Sequence, residues 1–137
     1  MNSKLALAAL AALVATLLSA TALSAQTAVQ RDTLGKYPLD SSKIVSRVEV
    51  QRLTLPPGGK SGAHIHAGPV VSYVLSGRIV VQVKGAQPQT FTAGQSIFEP
   101  ANTPIEHFDN LSATEPAVFV ANYLLSADDH ELVKLLK

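Results

Sequence analysis

Hydrophobic and polar residues alternate along residues 44–55, which read IVSRVEVQRLTL. Successive side chains of a strand point to opposite faces, so a period of two is typical of a strand with one buried face. The β-branched residues in this stretch favour the same interpretation. The run Pro56-Pro57-Gly58-Gly59 follows directly and ends the pattern, because proline and glycine interrupt strand pairing. The pattern therefore predicts a first strand over residues 44–55.

The rest of the chain predicts further short strands, separated by glycine, proline and polar turns. They cover residues 64–66, 70–75, 78–83, 89–91, 96–99, 106–110 and 117–125. If Val70 points inward, the same alternation places Ser72 and Val74 inward and Tyr73 outward. Many short strands at close spacing are typical of an all-β sandwich or barrel.

Only the last dozen residues predict a helix. Ser126 is a suitable N-cap, and Asp128 and Asp129 suit the positive end of a helix dipole. An apolar stripe follows at helical spacing, formed by Leu132, Val133, Leu135 and Leu136. His130 lies in this segment, and we interpret it as a surface or packing histidine.

The first 25 residues have the pattern of a cleaved signal peptide. Lys4 supplies the positive charge, residues 5–18 are apolar, and small residues up to Ala25 offer cleavage sites. The apolar run is shorter than the roughly 20 residues that a membrane helix needs. We therefore predict a signal peptide at 1–25, an N-terminal arm at 26–43 and a single domain at 44–137. The mature protein would be periplasmic or secreted, with no membrane contact after cleavage.

The composition limits which binding partners are expected. The chain contains no cysteine and carries a formal net charge of +1. An exported domain without disulfides must rely on its core, on a metal or on self-association. We expect a homodimer, because a short domain gains stability by burying a strand edge or sheet surface against a second copy. The chain has no basic cluster with interleaved aromatic residues, so nucleic acid is not an expected partner.

Three of the four histidines carry the candidate chemistry. His64 and His66 are two residues apart in a predicted strand, so both side chains point to the same face. Two imidazoles at that spacing can bind one metal ion, each with a nitrogen about 2.0–2.1 Å from it. His107 follows a second glycine-proline segment and is the candidate third ligand. Imidazole ligands suit iron, zinc, manganese, nickel and copper, so the prediction is one divalent transition metal. The alternative interpretation is a polar stripe without metal.

Around these histidines the chain resembles the cupin family of small jelly-roll β-barrels. The first motif of that family is Gly, five residues, His-x-His, three or four residues, Glu, six residues, Gly. Gly58, His64, His66 and Gly77 stand at these spacings, and Val70 occupies the glutamate position. The likeness covers roughly residues 44–125 and is closest to short, exported bacterial members. With the helix predicted above, the expected fold is an all-β jelly-roll barrel with a short C-terminal helix.

The second motif of the family fits less well. It runs Gly, five residues, Pro-x-Gly, two residues, His, three residues, Asn. Gly94 and Pro100 fit, Asn102 replaces the glycine, and His107 falls two positions late. Asn110 then follows at a shortened interval.

Because valine cannot bind a metal, the resemblance leaves several site compositions open. In one, His64, His66 and His107 alone hold the metal, as in the three-histidine cupins. In another, Glu99 supplies the missing carboxylate from the end of a strand. Glu106 should face away from His107 and is a weaker candidate. In a third, no metal binds and the histidines form hydrogen bonds to a ligand.

The function that the resemblance implies is metal-dependent. One interpretation is a dioxygenase-like oxidoreductase acting on a small organic substrate, with the metal as Lewis acid or redox centre. No residue stands out as a general base. The alternatives are a non-catalytic module that binds or senses a small ligand, and a structural cupin with a degenerate metal site. Ser72 and Gln82 are further polar candidates for the cavity wall. A barrel of this kind hosts many chemistries, so the fold does not choose among these functions.

Overall fold

A computed structural model describes residues 29–39 and 42–137. The predicted signal peptide at 1–25 lies outside these residues, as does the start of the predicted arm. The described residues form nine strands: β1 Arg47–Leu55, β2 His64–Ile65, β3 Val70–Ser76, β4 Arg78–Val83, β5 Gln89–Thr92, β6 Ser96–Glu99, β7 Ile105–Asn110, β8 Ala117–Leu125 and β9 Lys134–Leu135. This part of the chain holds no helix of the length and apolarity needed to cross a membrane.

The strands pair into two antiparallel sheets. One sheet has the order β1-β8-β3-β6, and the other has the order β5-β4-β7-β2-β9. The rings of Phe108 on β7 and Phe119 on β8 meet between the sheets, with centroids 4.9 Å apart. The predicted all-β jelly-roll architecture is confirmed.

Alternation along the strands decides which side chains form the core. On β8, every second residue from Ala117 to Leu125 is buried. On β3, Val70, Ser72 and Val74 are buried, and Tyr73 between them is half-buried on the other face. This confirms the predicted orientation of β3. Since β8 lies between β1 and β3, it is an inner strand with a hydrogen-bonded neighbour on each side.

The corner between β3 and β4 depends on Gly77. Its φ angle is 85°, and a Cβ atom there would lie 2.7 Å from the Cα atom of Ala117. Any other residue would therefore be strained twice, by its backbone conformation and by the contact with β8. The corner passes the chain from one sheet to the other.

The predicted C-terminal helix is wrong. Residues after Ser126 form a turn, and β9 then pairs with β2. The backbone N–H of Leu136 donates to the carbonyl of Ala63 at 2.8 Å, so the segment completes the edge of a sheet. A helix of about a dozen residues is marginal without tertiary support. Here the unpaired edge of β2 offers backbone hydrogen bonds that outweigh the local helical pattern.

Part of the predicted arm contacts the outer face of β6. The ring of Tyr37 stacks on Phe98 with centroids 5.0 Å apart and an interplanar angle of 7°. The hydroxyl of Ser96 donates to the carbonyl of Leu34 at 2.8 Å. Further along, Lys43 forms an ion pair with Asp129 at 2.7 Å.

Candidate metal centre

His64, His66 and Glu99 converge at one point inside the barrel. The two histidines lie at β2, and Glu99 is the last residue of β6, on the opposite sheet. Oε2 of Glu99 lies 3.4 Å from Nε2 of His64 and 3.2 Å from Nε2 of His66. One ligand atom from each residue lies within 4.8 Å of the others. All three side chains are at least 95% buried.

The backbone fixes which nitrogen of each histidine carries the proton. Nδ1 of His64 lies 2.8 Å from the carbonyl oxygen of Gly62, and Nδ1 of His66 lies 2.7 Å from that of Leu132. A carbonyl oxygen can only accept, so each Nδ1 must donate. In the neutral imidazoles the lone pair therefore sits on Nε2, which faces Glu99. Such outer hydrogen bonds orient the histidine ligands of metal sites.

The cluster therefore requires a positive charge at its centre. Two nitrogen lone pairs and a carboxylate oxygen face one another, and all three are acceptors in the neutral-histidine state. A buried carboxylate without a positive partner is costly. Donors about 2.0–2.2 Å from one ion are separated by roughly 3.0–3.5 Å, which the distances to Glu99 match. The donor set thus fits one metal ion.

The contacts within the cluster also shift the pKa values of His64 and Glu99. Burial opposes charge on His64, but its hydrogen bonds with Glu99 and the Gly62 carbonyl outweigh this and raise the pKa of its imidazole. Burial also opposes ionisation of Glu99, while hydrogen bonds that His64 and His66 donate when their Nε2 atoms are protonated lower the pKa of its carboxyl. The carboxylate is therefore anionic at neutral pH, as a ligand must be.

Glu99 stands opposite the position where the cupin motif has glutamate. Val70 on β3 pairs directly with Glu99 on β6, and both side chains are buried on the inward face. Directly opposite residues of an antiparallel pair have Cβ atoms about 4.5–5.5 Å apart. A carboxylate is thus present on the strand next to Val70, at the residue that one of the sequence interpretations proposed as a ligand.

His107 does not lie in this cluster. Its side chain is 53% exposed, and its Nδ1 lies 3.0 Å from the carboxylate of Asp109. The cause is a bulge in β7: Gln82 pairs with His107 and Val83 with Ile105, so Glu106 has no partner on β4. With this extra residue, Glu106 and His107 are both exposed, and the next inward residue is Phe108. Alternation alone could not predict this outcome.

The spacing of the second motif explains what replaces the third histidine. Counted from Pro100, the motif histidine falls at Ile105, which is fully buried and pairs with His64. The motif glycine falls at Asn102, whose φ angle is 54°. Asparagine tolerates this left-handed conformation better than most residues, so the turn survives the change. The motif position was thus a better guide to the site than the presence of His107.

A cavity of about 220 Å³ lies against the cluster. Its wall includes His64, His66, Glu99 and Tyr123, together with apolar residues of β1, β7, β8 and the C-terminal segment. The ring of Tyr123 lies 5.7 Å from that of His66. Burial, together with Glu99 and Glu49, raises the pKa of Tyr123 to about 12. Its phenol therefore stays protonated and can donate a hydrogen bond.

The remaining polar candidates lie away from the cavity wall. Ser72 is buried in the core, and its hydroxyl has no hydrogen-bond partner among the described residues. Gln82 is half-buried and its side-chain amide donates to the carbonyl of Ala86 at 3.3 Å. His130 is exposed. None of the three contributes to the cluster.

Comparison with known proteins supports the same fold. The family described as Cupin domain matches residues 51–123. A cupin-like protein from Thermotoga maritima shares 19% identity at a TM-score of 0.55, covering 65% of this chain and 64% of that chain. Oxalate oxidase in complex with the substrate analogue glycolate shares 21% identity at a TM-score of 0.56, covering 65% and 46%. A DMSP lyase from Ruegeria pomeroyi shares 18% identity at a TM-score of 0.55, covering 64% and 42%.

These identities establish the fold and not the activity. The chain spans less than two thirds of each of these proteins. No curated protein is significantly similar to the sequence. The family match, however, covers more than half of the chain and agrees with the two-sheet barrel and its inward histidines. The chain belongs to the cupin family.

Proposed function

We propose that this protein is a metal-dependent, dioxygenase-like enzyme that acts on a small organic molecule beside His64, His66 and Glu99. The donor set carries the proposal. Two imidazoles and one carboxylate with open coordination positions are typical of non-haem iron(II) oxygenases. The adjacent cavity of about 220 Å³ gives a substrate access to those positions.

Each group at the site has a defined role in this proposal. The bound metal would supply the redox and Lewis-acid chemistry. The carbonyls of Gly62 and Leu132 hold both imidazoles in the tautomer that presents Nε2 to the ion. Glu99 supplies a negative charge that reduces the net charge of the site. Tyr123 can donate a hydrogen bond to a polar group of the substrate, and the surrounding apolar wall limits access of water.

The test compares ligand variants with histidine controls. Replacing His64 or His66 by alanine, or Glu99 by glutamine, should weaken binding of iron(II) or zinc by roughly hundredfold or more, since loss of even an outer-shell partner costs 10–100-fold. The variants His107→Ala and His130→Ala should bind within about threefold of wild type, because both residues lie outside the cluster. Equilibrium dialysis with elemental analysis measures the affinities. If His64→Ala keeps the wild-type affinity, the assigned site is wrong.

Two observations favour a non-catalytic role as the second candidate. Val70 and Ile105 occupy positions where the cupin motifs have metal ligands. A chain that kept the barrel but lost activity could retain a reduced donor set of this kind. The iron-loaded protein separates the two functions: oxygen consumption that depends on an added small organic acid or phenol supports the enzyme. Metal binding without such consumption across the panel supports a binding module.

A further inference from the structure

The ionisable side chains of the cavity beside the metal cluster lie together at one end. His64, His66 and Glu99 form that end, and the ring of Tyr123 lies 5.7 Å from that of His66. The rest of the wall carries no charged group. It contains the hydroxyl-bearing residues Ser61 and Thr54, and its larger apolar side chains are Leu53, Leu55, Phe108, Phe119 and Val133. A molecule that fills this space must therefore place a polar group against the cluster and an apolar body against the leucine and phenylalanine side chains.

The charge of the site limits the ligand to one negative group. A divalent ion with two neutral imidazoles and the Glu99 carboxylate has a net charge of +1. A single anionic donor neutralises it. Within the described residues, no lysine or arginine lines the cavity. A second carboxylate at the far end would lie against apolar side chains without a cation, and burying an unpaired charge is costly.

The volume of the cavity limits the size of the ligand. An apolar cavity of about 150 Å³ accommodates a six-atom ring. By the same proportion, about 220 Å³ suits a ligand of roughly seven to ten non-hydrogen atoms. Ala121 contributes only a methyl group between Phe119 and Tyr123 on β8, which leaves space for the ligand at the middle of the wall.

From this arrangement we infer that the site takes a small amphiphilic substrate with one anionic or neutral donor group and an apolar body, and that it discriminates against diacids of the same length. The inference rests on the proposed metal site, since the polar group is placed by the ion. It goes further in assigning the apolar wall as the part that selects the substrate.

The test uses paired probes that differ at one end. The cobalt(II)-loaded protein is titrated with acetate, butyrate and pentanoate, and then with glutarate, which matches pentanoate except for a terminal carboxylate. Changes in the cobalt absorption bands report binding. Each added methylene should tighten binding about fourfold, the effect of burying one CH₂ group. Pentanoate should bind at least about tenfold tighter than glutarate, because only glutarate buries an unpaired charge. Equal affinity for the two, or no dependence on chain length, would overturn the inference.

A variant adds the cation that the wall lacks. Leu53 is half-buried at the cavity wall, so Leu53→Arg can place a guanidinium there while keeping its stem packed. We expect the ratio of pentanoate to glutarate affinity to fall by about tenfold or more, because the second carboxylate gains a partner. The matched control is Leu111→Arg, at an exposed position outside the cavity, which should leave the ratio unchanged. An unchanged ratio in Leu53→Arg would count against the assigned wall.

Failure of the two proposals can be told apart. If the protein takes up no cobalt, the proposed metal site fails. The same acids are then tested on the metal-free protein by ligand-detected NMR. In Ala121→Leu the larger side chain fills the cavity. Saturation transfer to the terminal methyl group of pentanoate in wild type, and its loss in this variant, would still support an apolar wall. No transfer in wild type would overturn it.

Discussion

At the scale of single residues, the position of the carboxylate, at Glu99 and not at Val70, can be tested directly. The two residues face each other across β3 and β6, so a carboxylate at either position can reach the same point. Glu99→Val alone should weaken metal binding by roughly hundredfold. The double variant Val70→Glu with Glu99→Val should recover to within about tenfold of wild type, as measured by equilibrium dialysis. A double variant no better than the single one would show that the two positions are not equivalent.

Ser72 gives a prediction about stability. Its hydroxyl is buried without a hydrogen-bond partner among the described residues, and such a group costs about 1–3 kcal/mol. Replacing Ser72 by alanine removes the unsatisfied oxygen and little volume. We expect the free energy of unfolding in urea to rise by up to about 1 kcal/mol. A loss of 1 kcal/mol or more would mean that the hydroxyl has a partner, for example a buried water.

The sequence could predict the site only in part, and the reasons lie in particular residues. The orientation of His64 and His66 follows from spacing, because residues two apart in a strand share a face. Glu99 could be proposed from its place at a strand end. The exclusion of His107 could not be predicted, because the extra residue in β7 interrupts the alternation and depends on pairing with β4. The motif spacing, which falls on Ile105, was the available signal.

At the scale of elements, predictions were correct where pattern and pairing agree. Three predicted strands, 78–83, 96–99 and 117–125, have the observed bounds. Each alternates or is bounded by glycine, proline or polar residues. The segment after Ser126 was predicted wrongly because its structure depends on distant partners. Its apolar stripe fits a helix locally, but the edge of β2 and the ring of His66 bind its backbone instead.

The ion pair that holds this segment has a defined pH dependence. The carboxylate of Asp129 accepts hydrogen bonds from Lys43 and from the backbone of Ser126, and these lower its pKa to about 2. Because the folded-state pKa lies below the usual value of 3.8, the stabilisation is complete above about pH 4 and is lost as the pH falls through 2.

Urea unfolding at several pH values checks this. Asp129→Asn should lower the free energy of unfolding by up to about 1 kcal/mol at pH 6, in the range of surface ion pairs. The difference from wild type should shrink between pH 4 and pH 2. Asp128→Asn, at the adjacent exposed carboxylate, should show no such convergence. A difference for Asp129→Asn that stays constant down to pH 2 would contradict the assigned role of the carboxylate.

At the scale of the whole molecule, β1 is the surface that we expect to pair with a second copy. It is the edge of its sheet, and its outward residues Val48 and Val50 are 53% and 60% exposed. An exposed apolar edge strand is a template for pairing with another chain. We predict a homodimer. The double variant Val48→Lys with Val50→Lys should raise its dissociation constant at least about tenfold, because like charges would meet across the interface.

Light scattering over a range of micromolar concentrations measures the assembly. Leu111→Lys is the matched control, since Leu111 is 45% exposed but directly follows β7, a strand of the other sheet. It should leave the dissociation constant unchanged. A wild-type protein that is monomeric throughout this range would contradict the prediction.

Because side chains alternate along β1, one face of the strand contributes to the cavity and the other to the outer surface. Leu53 and Leu55 point towards the cavity, while the even-numbered Val48 and Val50 point away from it. A mutation at Leu53 or Leu55 changes what the barrel accommodates, and one at Val48 or Val50 changes what meets its outer surface. Within this strand, ligand preference and self-association can therefore diverge independently during evolution, and a mutant library restricted to Leu53 and Leu55 could search for new ligands without disturbing assembly.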